Sequence, residues 1–198
     1  MSSILLIVLD ANTRAEIHRL ASTDSTMAVS DAVGTLAAAR DALERRLPDL
    51  IVADLRLPDG PLVNLFDELR PRRAHVLVLT PSLCDPHLMH TLRHGADGYV
   101  LARARGAELL ERMRRTLAGE SPMDATVAQK LAVQFGAALP LLSNTEQRLL
   151  HSIGAGQAMA EVARGARMTP QQLGLALRSI YRTLHRDMQS HPKPPGAA

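Results

Sequence analysis

Short apolar runs alternate with amphipathic stretches along the first 120 residues of the chain. A continuous apolar run of strand length is typical of a strand buried on both faces of a parallel sheet. Between the runs, apolar residues recur at helical spacing, as at Leu36, Ala39 and Leu43. Five such β-α units predict an α/β fold, a doubly wound parallel five-stranded sheet with helices on both faces. The runs span residues 4–9, 50–53, 76–79 and 99–101, with a weaker candidate at 27–29.

The pattern changes after residue 120. A hinge containing Pro122 is followed by one predicted helix over residues 124–135, which is typical of an interdomain linker. Beyond it, helical spacing alone predicts a second, small all-α domain. The predicted organisation is a first domain over 1–120, a linker over 121–140, a helical domain over 141–189 and a disordered tail over 190–198.

Two capping boxes mark helix starts in the second domain. Ser143 and Glu146 have the spacing at which each side chain satisfies a backbone donor of the other residue. Thr169 and Gln172 repeat this spacing, and Pro170 between them suits the first helical position. The predicted helices run from these caps to about residues 153 and 185, with a short helix over 158–164 between them.

Composition narrows the class of protein. An apolar content of 46% is enough for a packed core in each domain. The single cysteine excludes an internal disulfide and favours a reducing cytoplasm. The run at 4–9 follows no Lys or Arg and ends at Asp10, so we expect neither a signal peptide nor contact with a membrane. Residues 1–120 contain 15 Lys and Arg against 16 Asp and Glu, whereas residues 121–198 contain 8 against 4, which favours a polyanion as partner of the second domain.

Three candidate site residues stand at the ends of apolar runs. Asp10 and Asp54 each come directly after one run, and Thr80 follows another. In a parallel sheet, such residues meet at the edge where the strands end. Carboxylates beside a hydroxyl suit Mg²⁺ and a phosphoryl group, since hard cations prefer oxygen ligands. The alternative is that each aspartate caps the helix that follows it.

Five segments of the first domain together resemble the receiver domain of two-component response regulators. The resemblance implies a flavodoxin-like fold, with Asp54 as the phosphoacceptor and with Asp10, Asp54 and the backbone carbonyl of Arg56 as metal ligands. It also implies that Thr80 and Tyr99 form the switch pair and that a sensor kinase is a partner. The matching segments are residues 5–10, 48–54, 57–60, 78–80 and 95–101.

The chain departs from that family at two charged positions. The family has two adjacent acids after the first strand, and Leu9 stands in place of the first of them; it also has a lysine directly after the fifth strand, where this chain has Ala102. Fewer charges weaken Mg²⁺ binding and remove the cation that contacts phosphoryl oxygens. We therefore expect weak Mg²⁺ binding or no cofactor, and a domain that acts in dimerisation or docks a partner or ligand through the helix over 107–117. The arginines predicted to face outward on that helix are Arg112, Arg114 and Arg115.

Residues 142–185 resemble the DNA-binding domain of the NarL/LuxR family of response regulators. The resemblance rests on Leu142-Ser143-x-x-Glu146, Glu161-Val162-Ala163, Met168-Thr169 and Ile180-Tyr181-Arg182-x-Leu184. It implies a helix-turn-helix that binds double-stranded DNA with its last helix in the major groove. The apolar face expected in the core consists of Leu149, Leu150, Ile153, Val162, Leu173, Leu177, Ile180 and Leu184.

The opposite face of the last helix is the candidate DNA-contacting surface. Its residues are Gln171, Gln172, Leu175, Arg178 and Arg182. Glutamine amides can pair with adenine edges, and guanidinium groups suit phosphates or guanine. The family commonly has a lysine where this chain has Gly174 and a histidine where it has Ala176. Because few cations give weak binding by one copy, we expect a homodimer or a heterodimer with another regulator.

Three hypotheses follow from these patterns. The first is a DNA-binding transcription regulator whose receiver senses a partner or ligand, or dimerises, without standard phosphorylation. The second is a conventional regulator switched by phosphorylation of Asp54. The third is an interaction protein that regulates without binding DNA. An enzyme is not expected, because the chain has no Gly-rich phosphate loop, no metal-ligand cluster of His and Cys, and no nucleophile motif.

Overall fold

Five parallel strands follow the five apolar runs, so the predicted α/β fold class is confirmed. The computed structural model describes residues 1–69, 74–82, 85, 87–102, 106–121, 123, 127–129 and 141–190. In this part of the chain the sheet has the strand order β2-β1-β3-β4-β5. The strands are β1 (Ser2–Ile7), β2 (Met27–Val33), β3 (Leu50–Asp54), β4 (His75–Thr80) and β5 (Gly98–Leu101).

Helices cover both faces of the sheet because successive strand residues point to opposite sides. Ile4 and Leu6 of β1 are buried in one apolar cluster, whereas Leu5 and Ile7 are buried in another. The first cluster contains residues of α1 and α5, and the second contains residues of α2, α3 and α4. The helices are α1 (Ala11–Ala21), α2 (Leu36–Arg45), α3 (Phe66–Leu69), α4 (His87–His94) and α5 (Ala107–Leu117). A 3-10 turn (Leu62–Leu65) precedes α3, and a short antiparallel ribbon joins Arg56–Leu57 to Gly60–Pro61.

Strand β2 is longer than its apolar run. It continues through Ser30 and Asp31 to Val33, because it pairs with β1 on both sides of a register shift at Ser30 while lying at the edge of the sheet. Its polar residues are only partly buried, and the Ser30 hydroxyl donates a hydrogen bond to the Ile4 carbonyl oxygen across the pair. Tertiary pairing therefore extends a strand that a two-sided apolar pattern underestimates.

The second domain has its three predicted helices: α6 (Asn144–Gly154), α7 (Met159–Gly165) and α8 (Pro170–Ser190). Both halves of the Ser143 and Glu146 capping box are formed, and Thr169 and Gln172 bond each other in the same way. Helix α8 ends at Ser190, so it is longer than predicted and takes in the first residue of the predicted disordered tail. Residues 127–129 of the predicted linker helix are helical, and its other residues, like 191–198 of the tail, lie outside the described residues.

The predicted apolar face of these helices is buried. Leu149, Leu150, Ile153, Val162, Leu173, Leu177 and Ile180 all lie in the core, and the side chain of Leu184 lies outside the description. These residues belong to the same buried cluster as Tyr99 and Leu88 of the first domain. The two domains therefore share a continuous apolar contact. In the part of the chain that is described, no helix is long and apolar enough to cross a membrane.

Candidate functional site

The carboxyl ends of β3, β4 and β5 bring Asp54 and Ala102 to one small cleft. Its volume is about 90 Å³, and it is lined by Thr13, Glu16, Ile17, Asp54, Leu79, Ala102 and Leu109. Asp54 is partly buried at the end of β3, and one of its carboxylate oxygens accepts a hydrogen bond from the Leu9 backbone N–H at 2.8 Å. Burial raises the pKa of the Asp54 carboxyl, the Leu9 N–H opposes this rise, and the negative charge of Asp10 adds to it. The cleft thus contains a carboxylate next to an alanine methyl group.

Asp10 takes up the capping role that was the alternative to metal binding. One oxygen of its carboxylate accepts hydrogen bonds from both the backbone N–H and the hydroxyl of Thr13, each at 2.7 Å, at the N-terminus of α1. These bonds, that of the hydroxyl first, lower the pKa of Asp10. Among the described residues, no three His, Cys, Asp or Glu side chains come together as a metal site. Metal binding by Asp10, Asp54 and the Arg56 carbonyl stays a prediction.

Two described arginines near the cleft, Arg56 and Arg14, have their hydrogen-bond partners outside it. The Arg56 guanidinium pairs with Asp85 through two hydrogen bonds, at 2.5 and 3.2 Å, and Asp85 also accepts the His87 backbone N–H at the start of α4. Arg14 donates to the carbonyl oxygens of Val8 and Leu9. Arg103, next to the position where the resembled family has its lysine, lies outside the described residues.

Thr80 and Tyr99, the predicted switch pair, are both buried and use different partners. The Thr80 hydroxyl donates to the Ser82 carbonyl oxygen at 2.7 Å. The Tyr99 hydroxyl lies 3.0 Å from the Thr91 hydroxyl oxygen of α4, and burial raises the pKa of Tyr99 well above its ordinary value. Tyr99 is therefore packed inward beneath α4. A switching role for either residue stays a prediction.

Four of the five candidate DNA-contacting residues are exposed on α8: Gln171, Gln172, Leu175 and Arg182. The side-chain oxygen of Gln172 accepts the Thr169 N–H at 2.8 Å as part of the helix cap. Bidentate pairing with adenine uses both the oxygen and the nitrogen of the amide. Because the cap already uses the oxygen of Gln172, Gln171 is the better placed of the two for reading a base.

Arg178 lies against the first domain instead. Its guanidinium pairs with the Asp97 carboxylate at 3.0 Å and donates to the Gly119 carbonyl oxygen at 3.1 Å. Asp97 stands just before β5, and one of its oxygens accepts the Val76 backbone N–H at 2.9 Å. We predicted an open position for Arg178, and the structure places it in the contact between the domains. Its role toward DNA stays a prediction.

The arginines of α5 are ion-paired rather than uniformly outward. Arg112 pairs with Glu108 of the same helix, Arg114 pairs with Asp24, and Arg115 pairs with Glu120 at 2.6 Å. Arg114 is exposed, whereas Arg112 and Arg115 are partly buried, so the prediction of an outward arginine face was wrong for Arg112 and Arg115. The reason is that local and linker carboxylates lie within reach of both side chains.

Sequence reasoning missed the residues that join α8 to the first domain. They include Asp97, Glu120 and Tyr181, whose ring centroid lies 5.9 Å from that of Tyr99. Gly174 was the available signal. Glycine inside a helix is destabilising by about 1 kcal/mol relative to alanine, and a close neighbour that excludes Cβ is a common reason for it. Here a Cβ atom would lie 2.5 Å from Cγ of Glu120, so the Glu120 side chain would have to move to admit it.

Comparisons with known proteins agree with the fold and the helical domain. The chain is 30% identical over 148 residues to the DNA-binding transcriptional activator DevR/DosR of Mycobacterium tuberculosis, an alignment that covers 71% of this chain and 68% of that protein. A LuxR-family two-component response regulator from Aurantimonas superposes with a TM-score of 0.61 at 25% identity, over 68% of this chain and 97% of the other. RcsB of Salmonella enterica serovar Typhimurium, in a structure bound to a promoter, shares the fold at 16% identity, with a TM-score of 0.60 over 93% of this chain and 92% of that one.

No family model matches the sequence. The alignment with DevR/DosR runs through most of both proteins, and the solved regulators share the sheet and the helices described above. The residue segments that resembled a receiver and a helix-turn-helix occur here in one chain and in the expected order. The chain belongs to the NarL/LuxR family of response regulators.

Proposed function

We propose that the protein is a cytoplasmic, DNA-binding transcription regulator that contacts double-stranded DNA through helix α8. The observation that carries this proposal is the asymmetry of α8. Leu173, Leu177 and Ile180 are buried in the helical core, whereas Gln171 and Arg182 are exposed. A helix with one buried apolar face and an exposed face bearing an amide and a guanidinium fits the major groove.

The relatives support DNA as the partner. DevR/DosR is by its name a DNA-binding transcriptional activator, and the promoter-bound RcsB structure contains a protein of the same fold. We propose residues 1–120 and 141–189, joined by a linker, as the two domains; the support for this division is that the sheet with its helices precedes residue 120 and that α6 begins at Asn144. Because a single α8 presents few cations, the binding form is a homodimer, or a heterodimer with another regulator.

The receiver is proposed to act without standard phosphorylation, through dimerisation or through a partner or ligand. Asp54 is accessible from a cleft, but Ala102 supplies no ammonium to a phosphoryl group. The Asp10 carboxylate accepts hydrogen bonds from Thr13 at the N-terminus of α1. Leu9 contributes its backbone N–H to Asp54 in place of a second acid. The described residues that line the cleft therefore include no cation of the kind that stabilises and reports a phosphoryl group.

A binding titration tests the DNA contact. Fluorescence anisotropy on labelled promoter fragments, found by genome-wide occupancy, compares the wild type with Arg182→Ala. Arg19→Ala is the matched control, because Arg19 is exposed on α1 and its loss changes the net charge equally. Arg182→Ala is expected to weaken binding and to reduce the slope of log affinity against log salt by about 1 if Arg182 contacts a phosphate. Equal affinities for Arg182→Ala and Arg19→Ala would argue against α8 as the contact, and no binding to any fragment would favour an interaction protein.

A second measurement separates the receiver hypotheses. Wild type and Asp54→Asn are incubated with Mg²⁺ and a small phosphodonor, and the intact mass and the DNA affinity are then measured. We expect the treatment to change the intact mass and the DNA affinity of the wild type no more than it changes those of Asp54→Asn. A stoichiometric mass increase that needs Asp54 and raises DNA affinity would establish the conventional phosphorylation switch instead.

A further inference from the structure

We propose that the cavity between the amino ends of β4 and β5 and helix α8 binds a small organic anion, a carboxylate or phosphate group on an apolar body. The cavity has a volume of about 650 Å³, which lies within the roughly 300–1,000 Å³ of small-molecule pockets. The proposal gives a site and a chemical class to the ligand of the proposed function. It rests on that function for the ligand's part in regulation, whereas binding itself is tested without DNA.

This cavity lies at the opposite edge of the sheet from Asp54. His75, which lines it, is the first residue of β4, and Asp97, which also lines it, comes directly before β5. Asp54, in contrast, is the last residue of β3. The residues described as lining the two cavities have no member in common, so they are separate sites.

The charged groups that line the cavity include a guanidinium with no anion of its own. Arg178 and Arg182 lie one turn apart on α8 and share the cavity with one carboxylate, Asp97. Oδ1 of Asp97 pairs with Arg178 at 3.0 Å, and Oδ2 accepts the Val76 N–H at 2.9 Å. Arg182 is exposed and has no ion-pair or hydrogen-bond partner in the part of the chain that the structure describes. A carboxylate or phosphate is the group that a guanidinium binds most strongly.

His75 offers a second polar contact. Its Nδ1 atom is buried 3.5 Å from Oδ2 of Asp97 and has no hydrogen-bond partner among the described residues, whereas 21% of the side chain is exposed. The exposed part therefore belongs to the rest of the side chain. When the imidazole carries a proton, both of its nitrogens are donors. Nδ1 can then bond Asp97 while Nε2 donates to an oxygen of the bound anion.

The remaining wall of the cavity is apolar. Phe66 and Leu69 of α3 and Val76 of β4 line it, and each is at most 4% exposed. The Phe66 ring packs against the imidazole of His94 of α4, with centroids 6.3 Å apart and planes tilted by 57°. Covering apolar surface with an apolar body is favourable in proportion to the area removed from water. An apolar wall beside a guanidinium therefore favours an organic anion over an inorganic one.

The first experiment measures which ligands bind. Ligand-detected NMR titrations of the full-length protein, without DNA, compare four probes: benzoate, phenyl phosphate, benzamide and acetate. Benzamide has the shape of benzoate without its charge, and acetate has the charge without the ring. Benzoate or phenyl phosphate is expected to bind at least about tenfold more tightly than benzamide and acetate, and the tighter of the two shows whether the site prefers a carboxylate or a phosphate.

Three outcomes of this experiment would overturn the proposal. Equal affinities for benzoate, phenyl phosphate and benzamide would show that charge is not recognised. An acetate affinity equal to that of the two ring-bearing anions would show that the apolar wall is not used. No binding of benzoate or phenyl phosphate at millimolar concentrations would show that the cavity is not a site for this class of ligand.

The second experiment places the bound anion, using the tighter of the two ring-bearing probes. Arg182→Ala is expected to weaken its binding about tenfold, and His75→Gln about fivefold. Arg19→Ala and His151→Gln are the matched controls, because both residues are exposed on other helices and do not line the cavity. They are expected to leave the affinity unchanged. Equal affinities in each variant and its control would put the anion elsewhere on the protein and would overturn the site.

A third variant tests the cavity without changing any charge. Ala74 lines it and is partly buried, so Ala74→Phe fills part of the volume and is expected to abolish anion binding while circular dichroism shows a folded protein. Retained binding in this folded variant would overturn the cavity as the site. Anion binding that follows these variants in a protein that binds no DNA fragment would leave the site standing and overturn the proposed function alone.

Discussion

Replacing Ala102 by lysine tests what the cleft beside Asp54 lacks. The backbone N–H of Ala102 donates to the Thr80 carbonyl oxygen at 2.8 Å, which fixes this position directly after β5. Its side chain lines the same cleft of about 90 Å³ as the Asp54 carboxylate. That volume is several times the roughly 10–15 Å³ that a cavity needs to hold one water molecule, which is room for the end of a lysine side chain. An ammonium placed there would meet a partly buried carboxylate.

The magnitude follows from the environment of Asp54. A hydrogen bond to a charged group contributes about 1.5–3 kcal/mol to the free energy of unfolding, and ordering a lysine side chain costs up to about 2 kcal/mol. Ala102→Lys is therefore expected to change stability by about 1 kcal/mol or less. Ala102→Met is the matched control, because methionine has a similar length and similar side-chain entropy but no charge. The lysine variant should be more stable than the methionine variant by about 1.5–3 kcal/mol at pH 7.

Urea unfolding followed by circular dichroism measures this difference. With an ammonium beside it, the folded-state pKa of Asp54 falls below the raised value that it has beside Ala102. The advantage of the lysine variant over the methionine variant is therefore complete above that raised pKa, and it is lost as the pH drops through the lower folded-state pKa of the lysine variant. The lysine variant is also expected to bind beryllofluoride with Mg²⁺ better than the wild type. If the lysine and methionine variants unfold at the same urea concentration at pH 7, the ammonium does not reach Asp54, and our interpretation of Ala102 as the vacant lysine position is wrong.

Three further outcomes follow from individual contacts. Burial raises the pKa of Asp54, so its charged form is disfavoured in the folded protein. Asp54→Asn is therefore expected to stabilise the protein at pH 7, and this gain disappears as the pH falls toward about 4. Urea unfolding midpoints measured at several pH values check this prediction. Ser143→Ala removes one half of a formed capping box and should lower the free energy of unfolding by about 1 kcal/mol. Ser143→Thr should largely preserve the stability, and thermal unfolding of both variants measures the difference. Tyr99→Phe removes the hydroxyl that lies 3.0 Å from the Thr91 hydroxyl oxygen. This change should lower the free energy of unfolding by about 1 kcal/mol, as measured by urea titration. An unchanged free energy of unfolding would mean that this hydrogen bond adds nothing to stability.

The strands and helices were predictable because the patterns that specify them are local. Apolar runs buried on both faces marked β1, β3, β4 and β5, and capping boxes marked the first turns of α6 and α8. Edge strand β2 was underestimated, because it is completed by pairing with β1 rather than by its own apolar content. The end of α8 was placed too early, at 185, since no glycine or proline marks it before Ser190.

The site was only partly predictable, because its decisive contacts join residues far apart in sequence. That Asp54 lies at the strand-end cleft was predictable from parallel topology, and the position of Ala102 beside it was implied by the resemblance to a receiver domain. That Asp10 would cap α1 was one of two alternatives, and pattern could not decide between them. The pairing of Arg178 with Asp97 depends on how two domains dock. In the sequence, the signal for this docking was Gly174, because glycine disfavours the interior of a helix.

Helix α4 connects the cleft to α8 and sets the terms on which any signal can act. Asp85 caps α4 and pairs with Arg56 from the loop after β3, Thr91 of α4 meets the Tyr99 hydroxyl, and α4 itself contacts α8. A ligand, phosphate or partner shifts the contact between α4 and α8 only by its difference in affinity for the forms with and without that contact. Because none of the described residues that line the cleft is a cation, we expect this difference to be small there. We expect it to be large for a molecule that contacts the face of α8 that the first domain covers, since only a form without the contact exposes that face. We therefore predict that control acts more strongly at the α4 and α8 contact than at Asp54.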